Sequence, residues 1–538
     1  MMKRLCRRAA LLTLSLLTPA VLPAQHPNQI VWALKYDPKT FDPAKVDDQA
    51  SETVRFLTGG VLLRLNRLTM AVEPALAERW QIAPDGRLIT LVLRKGLRFS
   101  DGSPLTSADV VWSLRRVFDP ATAAPVAEEF GPGVTVDAAD PLTVRVHLPR
   151  RVAGVASFFD EVAIEPANRR GLARITSGPF TLADFRRGES LELKRNPYYW
   201  RHDAAGVALP YLDSIRLDIV SNPEQIELRF LRGQYQLLES VAPQDFNALK
   251  AKMPEAVRDF GPSLNTEQMW FNQSAAEPLP DYEKAWFESR GFRLAIAEAL
   301  HRADLARIAY DGHATPAAGF ISPSNRFWHD PHVTPVPENV QAAQDLLAKE
   351  GFRRVAGKLV DRAGHPVRFS LLTNAGNRAR ERMAALIQQD LAAIGIEVNL
   401  VTLDFPAMSE RLTHTGNYEA ALLGLSNVQP DPSTMENIWL SSSPTHQWNP
   451  SEKVPATPWE AELDRLMATQ SSAATDAERK RAVDRVQEIV AEQQPFIYLV
   501  YPNALYAVSP RLQGVILTPL QPGVISNIDA IRWKASAH

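Results

Sequence analysis

Between residues 368 and 404 the side-chain pattern changes period twice. RFSLLT (368–373) reads as a strand, and RARERMAALIQQDLAAIG (378–395) sets Met383, Ile387, Leu391 and Ile394 on one helical stripe. Gly395 supplies the stop, and IEVNLVTLD (396–404) resumes at once as a strand. A strand–helix–strand order joined this tightly argues for an α/β unit whose strands lie buried under helices.

Other segments extend the same reading. Residues 29–34 form a strand that runs into LKYDPKTFDPA, while RLITLVLRK (87–95), LTVRVHL (142–148) and LDSIRLDIV (212–220) alternate apolar and polar positions. After the Asp101–Gly102 turn, Ser107 is the expected N-cap of a helix that buries Val110, Val111, Leu114, Val117 and Phe118. Amphipathic helices are expected near 457–468 and 476–493, the second capped by Asp476, followed by FIYLVYP (496–502) as a buried strand. The fold class is α/β throughout.

The N-terminus reads differently. Lys3, Arg4, Arg7 and Arg8 precede the apolar run AALLTLSLL (9–17), which is too short to span a bilayer, and TPAVLPAQ (18–25) follows. That order predicts a secretory signal peptide over 1–24, cut after Ala24 or, alternatively, after Ala20. No later segment is apolar enough to span a membrane, so the expectation is a freely diffusing periplasmic protein. Cys6, the one cysteine of the chain, precedes the apolar run and would leave with it. A lipid anchor would need a cysteine just after that run, so no lipidation, no disulfide and no cysteine-type zinc site are expected.

About 514 residues remain after position 24, more than one hydrophobic core usually supports, so two or three domains are expected. Lys and Arg total 59 against 61 Asp and Glu, which leaves no basic excess for nucleic acid. Nucleophile-elbow, zincin, P-loop and dinucleotide-binding motifs are absent. His329 and His332 make an H-x-x-H pair inside the proline-rich HDPHVTPVP and read as solvated loop histidines. Neither a metal, a cofactor nor a catalytic residue is expected.

The stretch EPALAERWQIAPDGRLITLVLRKGLRFSDGSPLTSADVVWSLRRVFDP (73–120) resembles the signature region of the family 5 extracellular solute-binding proteins, the dipeptide- and oligopeptide-binding group. FDPAKVDD (41–48), SGPFTLADFRRGESLELKRNPYYW (177–200), RLAIAEALHRADLARIAYDGHATPAAGFISP (293–323) and QEIVAEQQPFIYLVYP (487–502) resemble further blocks of that family, in its order. Most signature residues, such as Leu91, Leu93, Gly96, Gly102, Val111 and Leu114, read as core or turn formers. The signature therefore identifies the fold without marking the site.

The resemblance implies a two-lobed periplasmic binding protein of type II architecture, with three domains and a hinge. It places domain I at 26–69, 173–270 and 496–538, domain II at 70–172 and domain III at 271–495, with crossings near 270 and 495. The implied role is capture of a peptide-like solute for an ABC importer, with inner-membrane permease subunits as partners and the protein itself a monomer. A sugar, opine, metal chelate or modified peptide as cargo, a periplasmic hydrolase and a peptide scaffold remain as alternatives.

In relatives of known type the peptide adds as an extended strand, held by backbone hydrogen bonds. The matching segments are 34–40 and 424–432, so Gly424, Leu425 and Ser426 would offer backbone groups while Lys35 and Tyr36 face them. Trp270 and Asn272 in MWFNQ, Trp439 and Trp448 are aromatic and polar candidates. Asn374 and Asn377 open a helix where backbone amides favour a carboxylate, and Arg380 would complete that site. Relatives hold the peptide ammonium with an aspartate shortly before an Asp-Pro or Glu-Pro step. Aligned on Asp431–Pro432, that position is Val428, which predicts poor binding of free N-termini unless a shifted loop brings Asn427 or Asp431 into the role.

Overall fold

A computed structural model of the chain describes residues 28–167, 174–274, 279–426 and 428–535. The signal-peptide expectation over 1–24 lies outside the described residues. Among those described, no helix is long and apolar enough to cross a membrane.

The architecture is two-lobed. In the first lobe, strands Ala77–Ile82, Leu88–Leu93, Thr143–His147 and Thr135–Asp140 form an antiparallel sheet in that order. Alternation puts Ile89, Leu91, Leu93, Val144 and Val146 on its inner face, at most 1 % exposed. Helix Ser107–Phe118 covers that face with Val110, Leu114 and Val117. Its N-cap is Thr106, not the expected Ser107. The Thr106 N–H donates to the Asp109 carboxylate at 2.9 Å, and the Ser107 hydroxyl instead donates to the Asp140 carbonyl at 2.7 Å. Thr475 likewise caps helix Asp476–Gln493 in place of Asp476, in a capping box with Glu478. In both cases the threonine lies three residues before an acid, and the reciprocal bonds fix the start one residue earlier.

A second four-stranded sheet of this lobe pairs Gln29–Leu34 parallel to Ser214–Ile219 and continues antiparallel through Ser190–Arg195 to Phe180–Arg186. Its core joins Trp32, Leu191, Leu193 and Leu217 to Val524, Ile525, Ile528 and Ile531 from the far end of the chain.

The other lobe contains the β–α–β unit. Arg368–Asn374 and Glu397–Leu403 are parallel neighbours, and helix Arg378–Ala393 covers them with Met383, Ile387 and Leu391. Ala420–Leu425 lies between Arg368–Asn374 and the antiparallel Thr266–Phe271, which in turn pairs with Phe496–Val508. That last strand is shared. Phe496–Val500 pairs with Thr266–Phe271, while Asn503–Ala507 pairs with Val257–Pro262. Leu499 and Val500 pack in the second lobe's core, and Tyr506 and Val508 pack in the first lobe's. The chain therefore passes between lobes at 262–267 and 500–503, side by side.

Gly395 shows how tightly the β–α–β joints are made. It sits at φ +91°, and a Cβ there would fall 2.8 Å from the Leu359 amide nitrogen and 2.9 Å from the Gly357 carbonyl oxygen. Backbone atoms cannot step aside as a flexible side chain would. Gly395→Ala is expected to cost about 2 kcal/mol, read as a lower urea midpoint at unchanged m-value.

Candidate functional site

The lobes enclose a cavity of about 1170 Å³. The first lobe contributes 46–55, 65–72, 151–161 and 519–522, and the second contributes 324–328, 429–434 and 473–479. Aromatic and apolar walls come from Trp80, Phe158, Phe260, Phe327, Trp328 and Leu520. Phe327 stands 52 % exposed, an open ring beside the cavity.

The lobes touch through the loop before Pro432. Asp431 caps the short turn Pro432–Met435 by accepting from the Ser433 amide at 3.0 Å. Both its carboxylate oxygens also accept from Arg479, one at 3.0 Å. Arg479 is 5 % exposed and Asp431 15 % exposed. The guanidinium stacks on Trp328, 4.7 Å from the ring centroid. Across the cleft, Gly154 lies against that carboxylate, since a Cβ there would fall 2.3 Å from Asp431 Oδ2. Asp431 thus lines the cavity with its charge already matched. Val428 is half-buried in an apolar cluster with Leu65, Met70 and Val72 of the first lobe and with Leu264 and Leu520. No charge is available there.

On the opposite wall, Glu129 and Glu161 have no ion pair among the described residues. Asp160 is paired with Arg67 at 2.6 Å, and Glu52 with Arg55 at 2.6 Å. Glu161 accepts from the Gln429 side chain across the cleft at 3.4 Å. Burial raises the Glu161 carboxyl above the ordinary range, against the pull of Arg55. Glu129 is pushed up to about 7 by burial and by the charges of Glu161, Asp431 and Glu128. Burial and like charge hold both carboxyls towards their neutral forms, a cost that a nearby cation would offset.

Of the residues singled out from the sequence, Asp431 lines this cavity. Lys35 and Tyr36 are exposed beyond the end of Gln29–Leu34 and lie outside its walls. Trp270 is 1 % exposed, its indole N–H donating to the Tyr418 hydroxyl at 3.2 Å. Asn272 is buried, donating to the Gly416 and Tyr418 carbonyls. Trp439 and Trp448 pack with Phe320 and Phe496 in the second lobe's core.

Asn377 does cap helix Arg378–Ala393, accepting from the Arg380 amide. The carboxylate that Arg380 binds belongs to the protein, however. Two guanidinium bonds of 2.8 Å reach Glu267, which also accepts from the Tyr310 hydroxyl at 3.0 Å, and a third reaches Asn374. Gly424 pairs with Glu267 in register, and Leu425 with Thr266. A Cβ at Gly424 would fall 2.8 Å from both Arg380 Nη2 and the Glu267 carboxyl carbon, so the glycine leaves room for that ion pair. Ser426 is exposed, and Asn427 lies outside the described residues.

Sequence reasoning passed over Glu129, Glu161, Phe327 and Arg479. For Arg479 a signal exists, because it continues the buried stripe of Ala482, Val483, Val486 and Val490 one turn earlier. An arginine on an apolar stripe announces a buried partner. Glu129 and Glu161 carry no such pattern.

Comparison with known proteins gives a consistent result. A model of the bacterial extracellular solute-binding proteins, family 5 Middle, matches residues 71–447. A protein of Deinococcus radiodurans named "Probable ABC transporter-binding protein" is 27 % identical over 537 residues, covering 89 % of this chain and 87 % of its own. The glutathione-binding protein GsiB of Escherichia coli O6:K15:H31 is 24 % identical over 532 residues, covering 96 % and 98 %. The oligopeptide-binding protein AppA of Bacillus subtilis, solved with a nonapeptide, shares the fold with a TM-score of 0.69 at 22 % identity, over 94 % of this chain and 99 % of its own.

Breaking the Asp431–Arg479 pair would leave a buried guanidinium with only the exposed Asp476, 3.7 Å away, as counter-charge. Asp431→Asn is expected to lower stability by about 3 kcal/mol, and adding Arg479→Met should restore part of the loss. Chemical denaturation of the single and double variants measures this coupling.

Proposed function

The chain belongs to the family 5 bacterial extracellular solute-binding proteins, and on that premise we propose that it captures a peptide-like solute bearing an ammonium group between its lobes for an ABC importer. The observation that carries this reading is the cavity between the lobes, whose uncompensated acids, Glu129 and Glu161, lie on the first lobe. Val428 offers nothing to a cation, and Asp431 is held by Arg479. The ligand's positive end would meet the first lobe, with its apolar parts against Phe327, Trp328 and Phe260. The names of the relatives, glutathione-binding and oligopeptide-binding, suit this ligand class. A non-peptide cargo with a similar ammonium would suit the same wall.

Capture would work by closure about 262–267 and 500–503. A solute touching both walls favours the closed state by its preference for that state, and the membrane subunits would read the closure. Micromolar affinity requires about 8 kcal/mol, so one ammonium left unpaired in a closed cleft would remove much of it. Calorimetry with matched free and N-acetylated short peptides, guided by mass spectrometry of the solute that co-purifies, tests the reading. Free peptides should bind and acetylated ones should not, and Glu129→Gln should weaken the free peptides at least tenfold. Equal binding of both forms would overturn it.

The affinity should also follow pH in a defined direction. Glu129 is largely protonated below about 7 in the free protein, and an ammonium favours its ionised form. Binding therefore releases a proton, and affinity should rise as pH climbs from 5 to about 7, at up to about tenfold per pH unit. Above about 8 a peptide's own amine loses its proton and the gain reverses. Glu129→Gln should flatten the rising limb.

Export is part of the same reading. The mature protein is proposed to begin near Gln25, unlipidated and in the periplasm. N-terminal sequencing of the secreted form should find that start, and recovery with an acyl group in the membrane fraction would refute it.

A further inference from the structure

Away from the cleft, the chain between Trp439 and Pro458 runs without a helix or strand and still packs into the second lobe's core through Trp448. His446 lies in this stretch, fully buried. Its Nδ1 is 2.9 Å from the Ile438 carbonyl oxygen. A carbonyl can only accept, so Nδ1 carries a proton and Nε2 is turned inward. Nε2 faces Glu452 Oε1 and Glu460 Oε1, each at 3.7 Å, and makes no hydrogen bond. Glu452 Oε1 is likewise buried without a hydrogen-bond partner.

An inward imidazole nitrogen facing two carboxylate oxygens calls for something positive among the three atoms. The outer oxygens of both carboxylates are already engaged. Glu460 Oε2 accepts from the Thr457 hydroxyl at 2.7 Å, and Glu452 Oε2 accepts from the Ala456 amide at 2.5 Å. Glu460 Oε1, which faces His446, also accepts from the Trp448 indole at 2.9 Å and keeps a second lone pair. Arg293, whose charge Glu460 feels, directs its N–H groups to Gln273 and to the Phe287, Gln493 and Gln494 carbonyls. His446 Nε2 and Glu452 Oε1 are the unpartnered atoms of the cluster, and both carboxylates are oriented by their own hydrogen bonds, as ligands around a metal are.

We propose that His446 Nε2, Glu452 Oε1 and Glu460 Oε1 bind one divalent cation of the zinc class, which staples the 440–457 segment to helix Pro458–Ser472. The three atoms lie within 4.8 Å of one another. Ligands about 2.1 Å from a tetrahedral zinc stand about 3.4 Å apart, so closure needs shifts of a few tenths of an ångström to about one ångström. Two carboxylates and one neutral imidazole leave a dication electrically balanced. An imidazole with two carboxylates and no thiolate suits zinc, cobalt or manganese better than copper(I). The three ligands come from one stretch of chain, at spacings of no zinc motif, which is why the sequence showed no metal site.

The test uses the full mature chain, stripped with a chelator and titrated with zinc chloride or cobalt chloride. One equivalent of zinc should bind and raise Tm, and cobalt should give the visible bands of a site with one nitrogen and several oxygen ligands. Glu452→Gln, which keeps the bond to the Ala456 amide, should abolish the metal-dependent rise in Tm without lowering the metal-free Tm. Should His446→Gln fail to fold, Glu452→Gln and the cobalt spectrum of the unaltered protein still decide. No uptake by the unaltered chain, or uptake unchanged in Glu452→Gln, would overturn the proposal. The first outcome would leave the cluster held by a proton, and the second would place the metal on the surface.

Discussion

The strand Phe496–Val508 is the member on which both lobes depend. At roughly 3.3 Å per residue its 13 residues extend about 43 Å, long enough to enter two cores. One half is hydrogen-bonded to Thr266–Phe271 and the other to Val257–Pro262. The register shifts along both pairings, between Asp259 and Pro262 and between Glu267 and Gln268, lie beside the passage from one lobe to the other. The short strand Ala314–Pro316 pairs with residues 500–502 at that same passage, so a hydrogen-bonded backbone runs through the crossing, and the irregular register is where it departs from a regular ladder.

The charges of the cleft follow from what each lobe must bury. Arg67, Arg55 and Arg479 are 8 % or less exposed, and each is matched by an acid supplied by its own lobe. Pairing inside a lobe leaves its fold independent of closure. Among the described residues Glu129 and Glu161 make no ion pair, although Arg55 and Arg67 act on Glu161 from a distance, and Glu161 accepts from Gln429 of the second lobe. On the proposed reading, a solute cation held by Glu129 and Glu161 would supply an attraction across the cleft that the Arg479-paired Asp431 does not. Ligand dependence of this kind needs no moving part beyond the hinge.

How much could be read from the sequence depended on how locally each feature is encoded. The 368–404 unit was legible because its strands and helix bury their stripes within one short stretch, and the parallel register of Arg368–Asn374 with Glu397–Leu403 follows from that order. The threonine caps at 106 and 475 were misplaced by one residue because a cap is defined by a reciprocal bond to an acid three residues on, not by the first polar residue met. Arg380 looked free because its partner, Glu267, lies 113 residues away on another strand. The cleft was least legible, since Glu129, Glu161, Phe327 and Arg479 come from four separate stretches and no periodicity links them. The family resemblance supplied the lobes but not the charges between them.

The loop at 428–432 shows why resemblance and chemistry separate at this point. In the family's pattern an aspartate precedes the Asp-Pro step and receives the ammonium, which puts the anion on the second lobe. Aligned on Asp431–Pro432 that position is Val428, which packs against Leu65, Met70 and Val72 of the first lobe. An apolar side chain can close that contact only where no charge has to be desolvated, so the gain in packing excludes an ammonium from this corner. The following acid cannot substitute, because Arg479 holds both oxygens of Asp431 and Gly154 leaves room for nothing between them. On the proposed reading a cation in the cavity would instead meet Glu129 and Glu161, on the opposite wall. Moving the anion across the cleft in this way would keep an attraction between ligand and protein while turning the ligand's charged end towards the first lobe.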